Sequence, residues 1–302
     1  MELNDYHDQT KQTDQLWKIT KNFEPHILGL VNEVGELAET WRVYLREGEE
    51  FVGFRPRIHE ELGDILWYVS ALSRRINATL EDVALANLEK TRNRWNEAHD
   101  DVSYELYDEK CDPSEQLPRE FSVCFTTDTR IEEDVEIPVS IMHLLEGAQV
   151  GALLDDNAYY DNGYRFHDIF HLAHAACLGW SPVLRSLLKR KRKANEAADR
   201  VEDGARAIFT EEGIAAYVHA RSIEFSGFET TETVESDILN FARSAVVGLE
   251  VETRSPADWE RAILSGYRVW NQMRAAGGGV VHGDLEKREL SFEGPCPVVG
   301  ES

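Results

Sequence analysis

Glu33 and Glu36 stand three residues apart, and so do Glu61 and Asp64. In a helix, residues i and i+3 share one face, so each pair points two carboxylates the same way. Leu30, Val31 and Leu37 flank the first pair; Leu62, Ile65 and Leu66 flank the second. Carboxylates beside core positions are costly unless they are paired or hold a cation. Four hard oxygen donors suit Mg²⁺, with Mn²⁺ as a substitute. A single such pair is an ordinary feature of a helix surface; two, embedded in apolar sequence on consecutive helices, form a candidate metal site. Asn87, Lys90 and Arg94 lie at i, i+3 and i+7, again on one face. They supply a neutral hydrogen-bonding group and two cations. Read alone they are a solvated face; beside four metal-binding acids they form a clamp for a polyphosphate.

The elements that must position these groups are helices. Apolar positions 27, 28, 30, 31, 34, 37, 38 and 41 recur at helical spacing, as do 62, 65, 66, 69, 72 and 76. The pattern predicts helices over roughly 4–22, 26–46, 56–76 and 80–98. Gly48 stops the second, Pro56 suits the first turn of the third, and Thr79 with Glu81 and Asp82 caps the fourth. Four amphipathic helices bury their stripes most simply as a four-helix bundle.

Gly29-Leu-Val-Asn-Glu-Val-Gly-Glu-Leu-Ala-Glu39, Glu60-Glu-Leu-Gly-Asp-Ile-Leu-Trp-Tyr-Val69 and Ala86-Asn-Leu-Glu-Lys-Thr-Arg-Asn-Arg94 resemble the MazG-like all-α nucleotide pyrophosphohydrolases. The resemblance covers about residues 1–98. It implies hydrolysis of a nucleoside triphosphate, usually a deoxy or aberrant one, to monophosphate and pyrophosphate. It also implies that Glu33, Glu36, Glu61 and Asp64 are catalytic Mg²⁺ ligands, and that Asn87, Lys90 and Arg94 contact the substrate's phosphates and sugar. A homodimer or higher homo-oligomer is implied as well. Family members often carry EExxE; here the first position is Asn32, which removes one charge. In this reading Glu36 or Glu33 orients the attacking water or takes its proton, and Lys90 and Arg94 stabilise the leaving pyrophosphate. Trp17, Trp67 and Tyr68 are available to stack on a base, although plain core packing is the commoner reading of any single one.

The rest of the chain is expected to comprise an acidic linker with a short β-hairpin insert over 100–149 and a second, mostly helical domain over 150–302. The fold class is thus mainly α. Residues 100–137 carry 13 acids against Lys110, Arg119 and Arg130. After Pro118, the alternating segments from Phe121 and from Val135 read as two strands joined across Asp128–Asp134, with Pro138 marking the second as an edge strand. His167, His171 and His174 lie at i, i+4 and i+7, with Asp168 beside them. Histidines at i and i+4 have metal-ligand spacing, but the HExxH glutamate is absent. Packed core histidines are the plainer reading, and a second metal site at His167, Asp168, His171 and His174 the sharper one. Ser255-Pro-Ala-Asp258 repeats the capping pattern of Thr79–Asp82, so this half is a candidate degenerate second bundle. Tyr164-Arg-Phe-His-Asp, Gly-Trp-Ser-Pro182 and Glu-Asp-Gly-Ala-Arg206 resemble the C-terminal extension of some MazG-like proteins. Lys189-Arg-Lys-Arg-Lys193 is either an anion grip or a helix end solvated beside Glu196, Asp199 and Glu202. The segment beyond Gly277 is expected to be loosely ordered.

The chain has 302 residues, with 56 acids, 32 bases and a formal charge of −24. That field opposes nucleic acid and anionic membranes but not a nucleotide bridged by divalent ions. No apolar run approaches the roughly 18 residues of a bilayer span. The polar N-terminus is not a signal peptide. Four scattered cysteines without CxxC spacing fit free thiols in a reducing cytoplasm. Two other functions remain open: a hydrolase working through the His/Asp cluster, and a non-catalytic nucleotide sensor or assembly protein.

Overall fold

The computed structural model describes residues 1–16, 22–95 and 105–297, with the side chains of Glu89, Lys90 and residues 92–95 outside the description. Trp17 and the side chains of Lys90 and Arg94 therefore lie outside the described residues. The chain divides into two compact units, residues 1–92 and 93–302.

The first unit is helical: α1 (Leu3–Thr13), α2 (Glu24–Glu47), α3 (Phe54–Arg75) and α4 (Leu80–Trp95). Helix α1 ends well before residue 22, because Asp14 leaves helical geometry at ψ 87°. Its carboxylate is 1% exposed. It lies 3.1 Å from His26 Nε2 and 3.2 Å from Arg74 Nη2. Arg74 also donates to Thr10 Oγ1 and to the carbonyl of His7, which fixes α1 on α3. A buried ion pair of this kind forces a turn where helical periodicity alone would continue. Helices α2 and α3 run antiparallel, because a short turn from Gly48 (φ 63°) reverses the chain. Tyr44 stacks on Phe54 across that turn at 4.2 Å. A Cβ at Gly29 would meet the Tyr68 ring at 2.3 Å, so this glycine lets α3 approach α2 one turn before Glu33. The stripe meant for burial is only partly covered in the single chain: Ile27, Leu28, Val31, Val34 and Trp41 are exposed.

The second unit departs from the expectation of a helical domain with a separate hairpin insert. Strands β1 (Glu120–Glu132) and β2 (Val135–Leu144) form the hairpin, but they lie within a five-stranded antiparallel sheet. The other strands are β3 (Gln149–Leu154), β4 (Gly279–Asp284) and β5 (Glu289–Gly294), in the order β3-β2-β1-β4-β5. The hairpin turn is only Glu133 and Asp134, both at positive φ (48° and 67°), as a tight two-residue turn requires. Strand β2 is not an edge. Pro138 opposite Thr129 is tolerated because it lies past the end of the β2–β3 ladder at Ser140. The segment after Gly277 is ordered as β4 and β5, and Cys296 is bridged to Cys124, so two of the four cysteines are not free thiols. The acidic stretch from residue 105 is no bare linker: Leu106 and Leu117 join the core, and Asp108 is held by Arg119 and Arg185.

Helices α5 (Asp168–Leu178) and α10 (Pro256–Ala276) pack on each other and on the sheet, and every residue of α5 is buried. Around them lie α6 (Pro182–Leu187), α7 (Glu196–Val201), α8 (Ala205–Ser222) and α9 (Ser236–Ala245). This unit is built on a five-stranded sheet with helices packed against it, unlike the all-helical first unit. The Ser255–Asp258 and Thr79–Asp82 patterns are both capping boxes, a local device shared by unrelated helices. The basic block is solvated only in part: Lys189 and Lys193 are exposed and Lys193 pairs with Asp199, as the plainer reading expects, while its arginines are held by the fold. Arg192 is 2% exposed and bonded to Asp203 and Glu250, and Arg190 donates to the carbonyls of Pro113 and Gln116.

Candidate functional site

Helices α2 and α3 bring Glu33, Glu36 and Glu61 together, with one oxygen of each within 4.8 Å of the others. Glu61 is buried, Glu33 half-buried and Glu36 exposed, so the cluster sits at the mouth of the interhelical seam. Burial, reinforced by the charges of Glu36 and Glu33, raises the Glu61 carboxyl above the ordinary range. Among the described residues no Lys or Arg pairs with any of the three. Asn32 donates to Glu36 Oε1 at 2.8 Å, so the residue that departs from EExxE positions its neighbour instead of adding a charge. Asp64 is exposed and outside the converging set. Its charge still reaches Glu61 and helps raise the Tyr68 hydroxyl, whose largest cause is burial. Asn87 is exposed on α4. Trp67 donates from Nε1 to Thr13 Oγ1 at 2.8 Å and meets Tyr68 edge-on at 4.9 Å, so both rings have packing partners.

A second polar cluster lies in the other unit. His167, Asp168 and His171 present ligand atoms within 4.8 Å of one another, and so do His171, His174 and Glu211. Glu211 and Glu212 come from α8 and are the members that spacing around the histidines did not reveal. A signal was available: Ala207, Glu211, Ile214, Ala215 and Val218 form the buried face of α8, and an acid on such a stripe must have a partner. Glu211 Oε1 accepts from His174 Nδ1 at 3.0 Å, and Oε2 accepts from Ser181 Oγ and the Val183 amide at 3.1 and 2.9 Å. His171 Nδ1 lies 3.0 Å from Glu211 Oε1, and its Nε2 3.4 Å from Glu212 Oε2. Burial alone would lower the His171 pKa, but Glu211 and Glu212 push it up to about 10. Burial would raise Glu211, but His171 and His174 bring it down to about 2. Burial lowers His167 and raises Asp168.

Among the described residues, each unit thus holds side chains that could hold a metal ion, all carboxylates in the first and histidines with carboxylates in the second. Residues 21–99 match the MazG nucleotide pyrophosphohydrolase domain, and residues 102–296 match the MazG C-terminal domain. The chain belongs to the MazG family. The carboxylates Glu33, Glu36 and Glu61 fall within its MazG nucleotide pyrophosphohydrolase domain, a hydrolase family, and the His/Glu cluster within its MazG C-terminal domain. A stretch of 69 residues is 35% identical to the Gene 37 protein of Mycobacterium phage L5, spanning 22% of this chain and 60% of that protein. No solved structure matches the chain. Among the described residues no helix is long and apolar enough to cross a membrane.

Proposed function

We propose that this MazG protein hydrolyses a nucleoside triphosphate, deoxy or aberrant, to monophosphate and pyrophosphate in the cytoplasm, using Mg²⁺ with Mn²⁺ as a substitute. The observation that carries the reading is the convergence of Glu33, Glu36 and Glu61 from two helices without a cationic partner among the described residues. Like charges gathered at a partly buried seam repel one another, and a divalent cation relieves that repulsion. The donors are all oxygen, which suits a hard cation. Bound there, Mg²⁺ neutralises triphosphate charge and makes a coordinated water more acidic. Glu33, Glu36 and Glu61 hold the ion, and Asp64, one helical step from Glu61, completes the set. Glu36, steadied by Asn32, or Glu33 orients the attacking water and takes its proton. Asn87, Lys90 and Arg94 bind the substrate, the two cations stabilising charge on the leaving pyrophosphate.

In this reading the helices close as a four-helix bundle of the all-α pyrophosphohydrolase type, and the protein works as a homodimer or higher homo-oligomer. The exposed row Ile27, Val31, Val34 and Trp41 on α2, with Leu62 and Leu66 on α3, supports that association. Pyrophosphate release across the common ribo- and deoxynucleoside triphosphates tests the assignment. Release from at least one, falling about a hundredfold or more in Glu36→Gln and Glu61→Gln, is expected, since even residues that only orient metal ligands are worth 10–100-fold. Nucleotide binding without release from any of them would identify a sensor instead.

A further inference from the structure

The second cluster is arranged as a ligand set with its supporting shell. His167 donates from Nδ1 to the Tyr164 carbonyl at 2.9 Å, and a carbonyl can only accept, so Nε2 carries the lone pair. The ring is held flat against Tyr164, with centroids 4.5 Å apart and planes 8° from parallel. His171 turns Nδ1 to Glu211 and Nε2 to the other side, where Glu212 Oε2 lies 3.4 Å from it and 3.8 Å from His167 Nε2. His171 is 0% exposed, and neither ring nitrogen makes an aligned hydrogen bond among the described residues. Asp168 is 6% exposed, and its carboxylate accepts no hydrogen bond among the described residues. His167, Asp168 and His171 thus each present a ligand atom within 4.8 Å of the others, and Glu212, the one substantially open to solvent, sets Oε2 beside both imidazoles.

We propose that His167 and His171, through Nε2, together with Asp168 and Glu212, hold a divalent transition-metal ion of the Zn²⁺, Mn²⁺ or Fe²⁺ class in the C-terminal domain. Nitrogen donors select these ions over Mg²⁺ and Ca²⁺. Glu211 is not a ligand: its oxygens are taken by His174, Ser181 and Val183, and it stands behind His171 as the carboxylate that orients a metal-bound imidazole. His174 belongs to the same support, since its Nδ1 is used on Glu211. The site is independent of the nucleotide reading, because it shares no residue with Glu33, Glu36 and Glu61.

The test is titration of the full-length, chelator-stripped protein with Co²⁺, whose visible d–d absorption is far stronger in a four-coordinate protein site than in the hexaaquo ion. The proposal expects one such Co²⁺ per chain, undiminished in the double variant Glu33→Gln/Glu36→Gln. Affinity should fall 10–100-fold or more in Asp168→Asn and in Glu212→Gln. Glu212 is partly exposed, so its variant keeps the fold; an unchanged unfolding midpoint of the metal-free protein checks this, and it decides the matter if Asp168→Asn does not fold. Absence of a coloured Co²⁺ complex in the Glu33/Glu36 variant overturns the proposal, and so does wild-type affinity in a folded Glu212→Gln.

Discussion

Replacing His219 with Phe should abolish a specific acid sensitivity. The ring is 6% exposed, and neither nitrogen has a hydrogen-bond partner among the described residues. Tyr164, Phe170 and Trp270 surround it at centroid distances of 4.9, 6.2 and 5.5 Å. Burial, then the nearby Arg274 charge, lowers its pKa to about 4 from 6.5; Asp156 opposes and His167 adds weakly. Below pH 6.5 the unfolded chain takes up a proton that the folded chain refuses, so stability is lost as pH falls and the loss is complete near pH 4. At 1.36 kcal/mol per tenfold, the span from 6.5 to about 4 amounts to about 3 kcal/mol. His219→Phe keeps an aromatic ring and removes the proton site. Any packing offset shifts the variant equally at every pH, so the slope isolates the ionisation. Urea unfolding followed by tryptophan fluorescence from pH 7.5 to 4.5 should show the variant gaining on wild type by about 2–3 kcal/mol. A difference that stays flat over that range would mean that His219 does not carry the acid sensitivity.

Three further outcomes follow from particular contacts. Arg192→Met leaves buried Asp203 without its main cation and should cost about 3–5 kcal/mol, or roughly 10 °C in the unfolding midpoint; a drop under about 3 °C would contradict it. Thiol titration of the denatured, unreduced protein should count only Cys111 and Cys177, and a count of all four would remove the Cys124–Cys296 bridge from the account. Gly204→Ala should destabilise by about 1–3 kcal/mol, because a Cβ there would meet the Arg200 carbonyl oxygen at 2.1 Å, and calorimetry showing no change would mean the backbone yields freely.

What the sequence determined by itself is local. Helix spacing put Glu33 with Glu36 and Glu61 with Asp64 on single faces, capping chemistry marked Thr79 and Ser255 as helix starts, and alternation marked the two hairpin strands. These features depend on neighbours within a few residues, whose geometry is set by 3.6- and 2-residue periods. Only the tertiary structure decided which faces meet. It selected Glu33, Glu36 and Glu61 and left Asp64 at the margin. It ended α1 at Asp14 so that this carboxylate could meet His26 and Arg74. It set β1 beside β4, pairing Ser122 with His282 across 160 residues, and so turned an expected loose tail into two strands. It placed Glu211 against His174, 37 residues away, where the motif around the histidines had offered only Asp168. Such pairings depend on complementary shape and charge between distant segments and on the chain entropy of closing long loops, which no local period encodes.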